Sequence, residues 1–575
     1  MRNDMTMDTV TEKSAHNFTV KRMKWVYFII GILCIAAFLR FYQLGSVPAS
    51  LDWDEVAHGY NAYSILKTGR DEYGQPFPLI LRSFDDYKPA LYTYLTMPFV
   101  AVLGPTHVAV RLPAAIIGVV AVLGTYLLVL ELFRTHTNGA TSAGDPHVTA
   151  LLTALLLTIS PWHLQFTRAA FEASVGLALI IFGILAFLRG FRKHWWWYVS
   201  AASFGLSVYA YQSEKVFMPL ITLALFLVYF RKLASFWPRL IGPAMLFLVV
   251  TIPFYWVTLT TPDALLRAKG VSLFADQTPY LASTVVRLED DRKNGDYIGL
   301  MLDNRRVTYA RGIMGNYMSH FDLNWLFITG DQARHQPPNF GHLYLVELPF
   351  LLIGIYMFFM GKYSWLTKLL VGAWLLLAPV PAAITTGVPH PIRTIHLLPL
   401  LQLLTVIGIL GAIRWLWNPP RNRLLAWGVN SIIVLIALWN IAYYLDAYFV
   451  QYDQVSSQEW QYGYKEAVQK VKEVQDQYDK IVVHNRQPMD QAHIFFLFYL
   501  AYDPAEYLRD GGTYSGGFAE ENRFGKFEFR AIDWDKEQRD GRTLFIGPRY
   551  EIPSGWIPVH TVYYLNGKIA MILAE

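Results

Sequence analysis

A short acidic segment contains the first residues that could do chemistry. It runs from Leu51 to Tyr60 and reads LDWDEVAHGY. A helix over this segment would place the Asp54 carboxylate and the His58 imidazole one turn apart on the same face. A carboxylate there could take a proton from an acceptor hydroxyl as a general base. A purely structural interpretation is also open, because Asp52 and Glu55 have the spacing of a capping box at a helix start.

A second cluster follows at residues 85–89, Asp-Asp-Tyr-Lys-Pro, just before an apolar run. Lys88 could hold the phosphate of a lipid-linked substrate. It could equally be an interfacial anchor whose ammonium group reaches toward the headgroups.

Charged residues also mark the ends of later apolar runs. Any one of them could be a salt bridge or an interface anchor, but ionisable residues at membrane depth are costly and are functional candidates as a group. Acids and cations together suit a transfer that needs a base for the nucleophile and cations for a leaving phosphate. The pairs are Arg168 with Glu172, Glu214 with Lys215, and His390 with Arg393.

A divalent metal ion is one option for a cofactor. Three histidines and two aspartates share the segment before the ninth apolar run, although their spacing matches no standard ligand pattern. They are His320, His335, His342, Asp322 and Asp331. No other cofactor is indicated.

The composition determines the class of protein. Of 575 residues, 54% are hydrophobic and 16% are charged. This is more apolar surface than one soluble core can bury, so the chain is predicted to be an integral membrane protein. The lysines and arginines lie in short loops and form no continuous basic face, which excludes a nucleic-acid partner.

The apolar runs predict an α-helical polytopic membrane protein with about 11 to 13 transmembrane helices. Between Lys88 and the basic loop at 134–147 the charge bias requires an odd number of crossings, yet two runs occur there. The run 90–104 is therefore ambiguous between a span and an interfacial helix. The runs are 25–43, 90–104, 108–133, 148–166, 170–189, 196–213, 216–231, 240–258, 343–361, 366–386, 395–414 and 424–445.

The basic loops alternate correctly if all of them are cytoplasmic. Residues 1–24 are then predicted to be a disordered cytoplasmic tail, followed by a transmembrane domain at 25–445. Its large outer loops would be 44–89 and 259–342. Hydropathy falls after Asp446, and the pattern at 446–575 predicts a soluble, mixed α/β domain on the extracytoplasmic side.

Several of these segments, taken in order, resemble a known family. The N-terminal half is similar to protein O-mannosyltransferases and aminoarabinose transferases, which belong to glycosyltransferase family 39 and its relatives and have the GT-C fold. The similarity extends more weakly to Tyr211 and Arg393 and covers roughly residues 25 to 450. The segments are Asp54-Glu55, Lys88-Pro89-x-Leu91, Arg111-Leu112-Pro113, and Ser160-Pro161 followed by Arg168 and Glu172.

The resemblance implies an inverting transfer of a sugar from a polyprenyl-phosphate donor to a hydroxyl acceptor at the extracytoplasmic face. Asp54 would be the base or the acceptor-binding carboxylate, and Glu55 would lie by the donor. Lys88, Arg168, Glu172 and Arg393 would contact the donor or its phosphate, and His58, Tyr211 and His390 would be further contacts. Tyr87 stands where the aminoarabinose transferases have a metal-binding glutamate, so the resemblance does not extend to a metal site.

Two other classes of function are compatible with a polytopic chain. A transporter or lipid-linked sugar flippase would show inverted repeats and charges near the bilayer midplane. The charges here lie at the ends of the apolar runs, which favours the enzyme. A membrane scaffold that binds through its C-terminal domain would tolerate mutations in 44–91. The sequence identifies neither the sugar nor the acceptor.

Overall fold

A computed structural model describes the chain except for residues 1–4, 85, 135–144, 263, 265–269, 276–277, 418–422, 515–520 and 554. Asp85 and most of the predicted loop at 134–147 therefore lie outside the described residues. The rest forms a bundle of apolar helices with a sheet-containing domain at the C-terminal end, as predicted.

The first part of the bundle contains ten helices and one short hairpin. The helices are α1 (Met5–Phe41), α2 (Trp53–Thr68), α3 (Leu91–Leu103), α4 (His107–Phe133), α5 (Pro146–Ile159), α6 (Pro161–Phe166), α7 (Ala173–Gly190), α8 (Trp196–Ser207), α9 (Glu214–Leu233) and α10 (Trp237–Thr260). Strands β1 (Ile80–Ser83) and β2 (Asp86–Pro89) form an antiparallel pair between α2 and α3.

The second part begins with three helices in the predicted outer loop and ends with the last apolar helices. They are α11 (Thr278–Asn294), α12 (Tyr297–Leu302), α13 (Arg305–Ser319), α14 (Glu347–Met360), α15 (Trp365–Leu377), α16 (Val380–Ala383), α17 (Leu400–Trp417) and α18 (Arg423–Asp446).

Each predicted apolar run contains a helix, but the helices differ in length. Seven helical segments of the described chain are long and apolar enough to cross a membrane. Helix α3 has only 13 residues, which rise about 20 Å against a hydrocarbon core of about 30 Å. The ambiguous run at 90–104 is therefore too short to cross alone. The total number of spans stays a prediction.

Helix α1 differs from the prediction at its start. Its backbone is helical from Met5 to Phe41, so the segment predicted as a disordered tail is helical from Met5 onward. The candidate span within it begins at Met23.

Small residues allow the closest packing in the bundle. Helices α14 and α17 cross at Gly354 and Gly408, where an added Cβ would lie 1.8 Å from the Leu404 carbonyl oxygen or 1.9 Å from that of Phe350. Backbone contact of this kind is how membrane helices associate without a hydrophobic driving force between them.

The C-terminal domain confirms the predicted α/β character. It contains α19 (Tyr452–Ser456), α20 (Tyr464–Val474), β3 (Lys480–Val483), α21 (Ala492–Leu500), α22 (Pro504–Arg509), β4 (Asn522–Phe524), β5 (Phe527–Phe529), β6 (Thr543–Gly547), β7 (Pro558–Tyr563) and β8 (Ile569–Ala574). The sheet order is β4-β5-β3-β6-β8-β7. The central strand β3 is parallel to β5 and β6, and the outer pairs are antiparallel.

Helix α2 packs directly on this domain and shares its hydrophobic core. Val56 and Tyr60 belong to the same buried cluster as Phe495, Phe498 and Tyr507. The contact is close, because an added Cβ at Gly59 would lie 2.4 Å from the Phe498 ring. The helix that carries Asp54 is thus fixed from one side by the bundle and from the other by the C-terminal domain.

Candidate functional site

The start of α2 has the capping box that the sequence predicts. The Asp52 carboxylate accepts a hydrogen bond from the Glu55 amide at 2.8 Å, and the Glu55 carboxylate accepts one from the Asp52 amide at 3.2 Å. The box satisfies two backbone donors at the helix end. It also fixes the helix direction, so that Asp54 faces away from these bonds and into a cavity.

This cavity has a volume of about 490 Å³, and we refer to it as the Asp54 cavity. Its wall is formed by the starts of α2, α7 and α9, by β2, and by the segments around Arg334 and Arg393. Six of the residues predicted for the site line it: Asp54, Lys88, Glu172, Tyr211, His390 and Arg393. The C-terminal domain contributes Glu459.

Asp54 lies between two cations. Lys88 forms an ion pair with its Oδ1 atom, and Arg334 Nη2 donates to its Oδ2 atom at 3.1 Å. Arg334 also pairs with Asp52, since its Nε atom lies 3.1 Å from Asp52 Oδ2. Burial raises the pKa of Asp52 to about 6, although Arg334 opposes this shift. Burial would lower the pKa of Arg334, but Asp52 and Asp54 raise it above its usual value, so Arg334 is cationic.

Two further cations, Arg393 and Lys215, also line the cavity. Arg393 Nη1 donates to Thr385 Oγ1 at 2.6 Å and to the Thr386 carbonyl at 2.8 Å. The Lys215 ammonium lies 5.3 Å from the centre of the Phe254 ring, which is a cation–π distance. With Lys88 and Arg334, they bring the lysines and arginines of the described lining to four.

The two histidines of the cavity wall are neutral near pH 7. Burial lowers the pKa of both His335 and His390, and the neighbouring Arg393 lowers them further. Their rings lie 5.3 Å apart, and Asp331 accepts a hydrogen bond from His335. His390 can therefore contact a substrate as a neutral donor or acceptor, and the positive charge of the cavity comes from the lysines and arginines.

The Glu172 side chain is oriented by His58 and Thr93, which lie outside the cavity lining. His58 Nε2 lies 2.8 Å from the Glu172 carboxylate, and His58 Nδ1 lies 2.8 Å from Thr93 Oγ1. Burial would raise the pKa of Glu172, but His58 and Lys88 outweigh it and lower that pKa. His58 does not line the cavity. Instead of the predicted direct contact with substrate, it holds Glu172 in place.

Glu55 is occupied within the protein. Arg111 donates to both of its carboxylate oxygens at 2.9 Å, and the Ala170 amide donates at 2.8 Å. The side chain is 3% exposed and lies outside the cavity lining. This geometry contradicts the predicted place beside the donor, because every approach to the carboxylate is taken by a donor of the chain itself.

Arg168 is occupied in the same way. Its guanidinium donates to four backbone carbonyls, those of Leu39, Arg40, Gln43 and Val47. It is fully buried and is covered by the Phe449 ring at 4.7 Å. Contrary to the predicted phosphate contact, the side chain holds together the turn after α1 and does not face the cavity.

Arg334 is a charged site residue that the sequence analysis did not identify. It stacks on the Trp53 ring at 4.7 Å and joins the 259–342 loop to the start of α2. Its only sequence signal is a cation within a predicted outer loop. The contact between Arg334 and Asp54 could not be predicted from the sequence, because the two residues are 280 positions apart.

The residues considered for a metal site do not form a set of ligands. His335 pairs with Asp331, whereas His320 bonds to the Asn316 carbonyl. The described part of the chain contains no group of three His, Cys, Asp or Glu side chains that could hold a metal ion.

Comparisons with known proteins bear on the fold. Residues 87–257 match the family model of dolichyl-phosphate-mannose-protein mannosyltransferases. The whole chain is similar in structure to ArnT from Cupriavidus metallidurans bound to undecaprenyl phosphate. The TM-score is 0.51 at 12% identity, over 96% of this chain and 98% of that one. This chain has the GT-C glycosyltransferase fold.

The same ArnT in the apo state gives a TM-score of 0.50, at 12% identity over the same 96% and 98% of the two chains. An Archaeoglobus fulgidus oligosaccharyltransferase gives 0.46 at 14% identity, over 84% of this chain and 63% of that one. No curated protein matches by sequence. The GT-C fold and the mannosyltransferase match together indicate a membrane glycosyltransferase, and the Asp54 cavity is its candidate active site.

Proposed function

We propose that this GT-C protein transfers a sugar from a polyprenyl-phosphate donor to a hydroxyl acceptor, with inversion at the anomeric carbon. The observation that carries the proposal is Asp54, a carboxylate held between Lys88 and Arg334 at the wall of the Asp54 cavity. The cavity volume, about 490 Å³, is in the range of sites that enclose one small ligand.

The cations support a phosphate-bearing donor. Lys88, Lys215, Arg334 and Arg393 surround one space, and a phosphate among them would make charge-assisted hydrogen bonds. The same contacts stabilise the charge that develops on a departing phosphate. The ArnT neighbour that carries undecaprenyl phosphate is a precedent for a lipid phosphate on this fold.

The reaction is a single displacement. The acceptor oxygen forms a bond to the anomeric carbon as the bond from that carbon to the phosphate oxygen breaks. The electron pair of the broken bond leaves with the polyprenyl phosphate, and Asp54 takes the acceptor proton. A phosphate that engages Lys88 and Arg334 draws them away from Asp54, which makes this carboxylate a stronger base when the donor is bound.

The position of the cavity supports reaction at the extracytoplasmic face. The cavity lies at the ends of α7 and α9 that are remote from their basic termini, and it borders the C-terminal domain through Glu459. Under the positive-inside rule the basic termini are cytoplasmic. The neighbouring C-terminal domain is then suited to recognise the acceptor.

The decisive experiment measures transfer from radiolabelled polyprenyl-phosphate sugars by the full chain in lipid nanodiscs. Asp54→Asn keeps the size of the side chain and removes the base, so we expect the transfer rate to fall about 10²- to 10⁴-fold. Asp510→Asn, an exposed change outside the cavity lining, is the matched control and should leave the rate unchanged.

Three outcomes would contradict the proposal. Equal rates for Asp54→Asn and the control would remove Asp54 from the mechanism. A product with retained anomeric configuration, read by NMR coupling constants, would exclude a single displacement. No transfer from any polyprenyl-phosphate sugar would favour a transporter or flippase.

A further inference from the structure

A second cavity lies at the other end of the helices that border the Asp54 cavity. Helix α7 begins after Glu172 and ends before Arg192, and α9 runs from Lys215 in the first cavity to Lys232 in the second. With 18 and 20 residues, these helices rise about 27 and 30 Å. This separation matches the thickness of the hydrocarbon core, so the two cavities open at opposite faces of the bilayer.

The second cavity, which we call the basic cavity, has a volume of about 580 Å³. It lies between the ends of α4, α7 and α9 and the start of α15. Its lining combines cations, hydroxyl groups and apolar side chains. The polar members are Glu131, Arg134, Arg192, Tyr229, Lys232, Ser235, Ser364 and Thr367, and the apolar members are Leu132, Leu188, Phe191, Phe236 and Leu366.

The charges of this lining do not cancel. Glu131 is the one acid among the described lining residues. Arg192 donates to both oxygens of the Glu131 carboxylate, and Arg189 lies 3.7 Å from it. Among the described residues, no carboxylate lies within ion-pair distance of Arg134 or Lys232, and both are exposed at the cavity. Two cations therefore face a space bordered by hydroxyl donors, which is the chemistry of a phosphate site.

The surroundings of the basic cavity are those of a membrane interface. Three tryptophans next to its lining segments are more than half exposed: Trp195, Trp237 and Trp365. Tryptophan is enriched where headgroups meet acyl chains. Basic pockets between membrane helices on the cytoplasmic side are suited to anionic lipid headgroups, and the apolar side chains of this lining can contact the adjoining acyl chains.

We propose that the basic cavity binds the phosphate of an anionic phospholipid from the leaflet opposite the Asp54 cavity. Arg134 and Lys232 contact the phosphate, and Ser235, Ser364 and Thr367 are placed to donate hydrogen bonds to it or to the adjoining headgroup. Glu131 holds Arg192 at the edge of the cavity. The proposal does not depend on the transfer reaction, since it uses none of the residues of the Asp54 cavity.

The test measures lipid retention by native mass spectrometry. The full chain in phosphatidylcholine nanodiscs is titrated with phosphatidylglycerol. Each cation near the surface contributes about fivefold in affinity for an anionic lipid. The double variant Arg134→Gln with Lys232→Gln should therefore weaken retention about 25-fold. Lys193→Gln, which removes an exposed charge outside the lining, should leave it unchanged.

Glycerol phosphate and inorganic phosphate form a second arm, and millimolar concentrations of either should not displace the lipid. Displacement by them would identify a soluble phosphate ligand and overturn the lipid assignment. Equal retention by the double variant and Lys193→Gln would overturn the site. If thermal unfolding shows that the double variant is misfolded, Lys232→Gln alone should give about a fivefold loss, and no loss would overturn the site equally.

Discussion

Asp54 and Glu55 are neighbours on α2 but belong to two different regions of the molecule. The Asp54 side chain is 26% exposed and lines a cavity shared with Lys88, whereas Glu55 is 3% exposed and paired with Arg111. The difference follows from one step of about 100° around the helix. Charges that look equivalent in sequence are thus divided between a cavity, where a substrate can compete for them, and a buried network that joins α2 to α4.

The buried region gives the largest expected effect. Glu55→Gln leaves the Arg111 guanidinium buried without a charged partner, which should lower the free energy of unfolding by about 3–5 kcal/mol. Chemical denaturation in detergent measures this loss. Asp54→Asn is the control, because its cations keep access to the cavity and its stability should stay within about 1 kcal/mol of the parent. Equal stability of the two variants would show that the Glu55–Arg111 pair stabilises the fold no more than Asp54 does.

Lys88 and Arg168 provide a second comparison between a residue of the cavity and a buried residue. Lys88→Met removes a charge from the cavity, so the KM for the donor should rise about 10- to 100-fold, the equivalent of one charge-assisted contact. Arg168→Met should leave the donor KM of the folded molecules unchanged and instead lower the thermal midpoint, since four carbonyls lose their donor. Steady-state kinetics at matched folded amounts separates the effects. A raised donor KM in Arg168→Met would show instead that Arg168 contributes to donor binding.

The smallest expected effect concerns Glu72, a buried acid whose shifted pKa makes stability depend on pH. Glu72 accepts hydrogen bonds from Asn61 at 2.8 Å and from Thr513 at 2.9 Å, and burial raises its pKa from 4.5 to about 7. The folded state therefore binds a proton that the unfolded state has released. Its contribution to stability is complete below pH 4.5 and is lost as the pH rises through 7.

Thermal midpoints at pH 5 and pH 8 measure this dependence. The parent should lose stability between these values, and Glu72→Gln should lose less. Glu521→Gln, at an exposed position, is the matched control and should follow the parent. An identical pH dependence in Glu72→Gln would show that the proton is taken up elsewhere.

Part of the site could be predicted because membrane helices constrain it. Lys88, Glu172 and Arg393 lie near the ends of apolar runs, and the positive-inside rule predicts that those ends lie on one side of the bilayer. Their convergence around Asp54 follows from that constraint. Tyr211 and His390 reach the cavity for the same reason.

The rest of the site depends on packing that the sequence does not encode locally. Residue type distinguishes neither Glu55 from Asp54 nor Arg168 from Arg393, because burial among backbone carbonyls or beside a cavity depends on helices distant in sequence. Arg334 reaches Asp54 across 280 residues without a helical or apolar pattern to place it. The fold class was accessible from hydropathy, since lipid imposes a long apolar run on each span.

The core that α2 shares with the C-terminal domain has a consequence for biosynthesis. Tyr60 and Phe498 lie far apart in the sequence but belong to one buried cluster. Until the C-terminal domain has been made, the side of α2 that carries Tyr60 lacks its partners Phe498 and Tyr507. The packing of α2 is therefore completed only when the C-terminal domain closes onto it, and a nascent chain arrested before this domain should expose the uncovered apolar side chains of α2 to proteases.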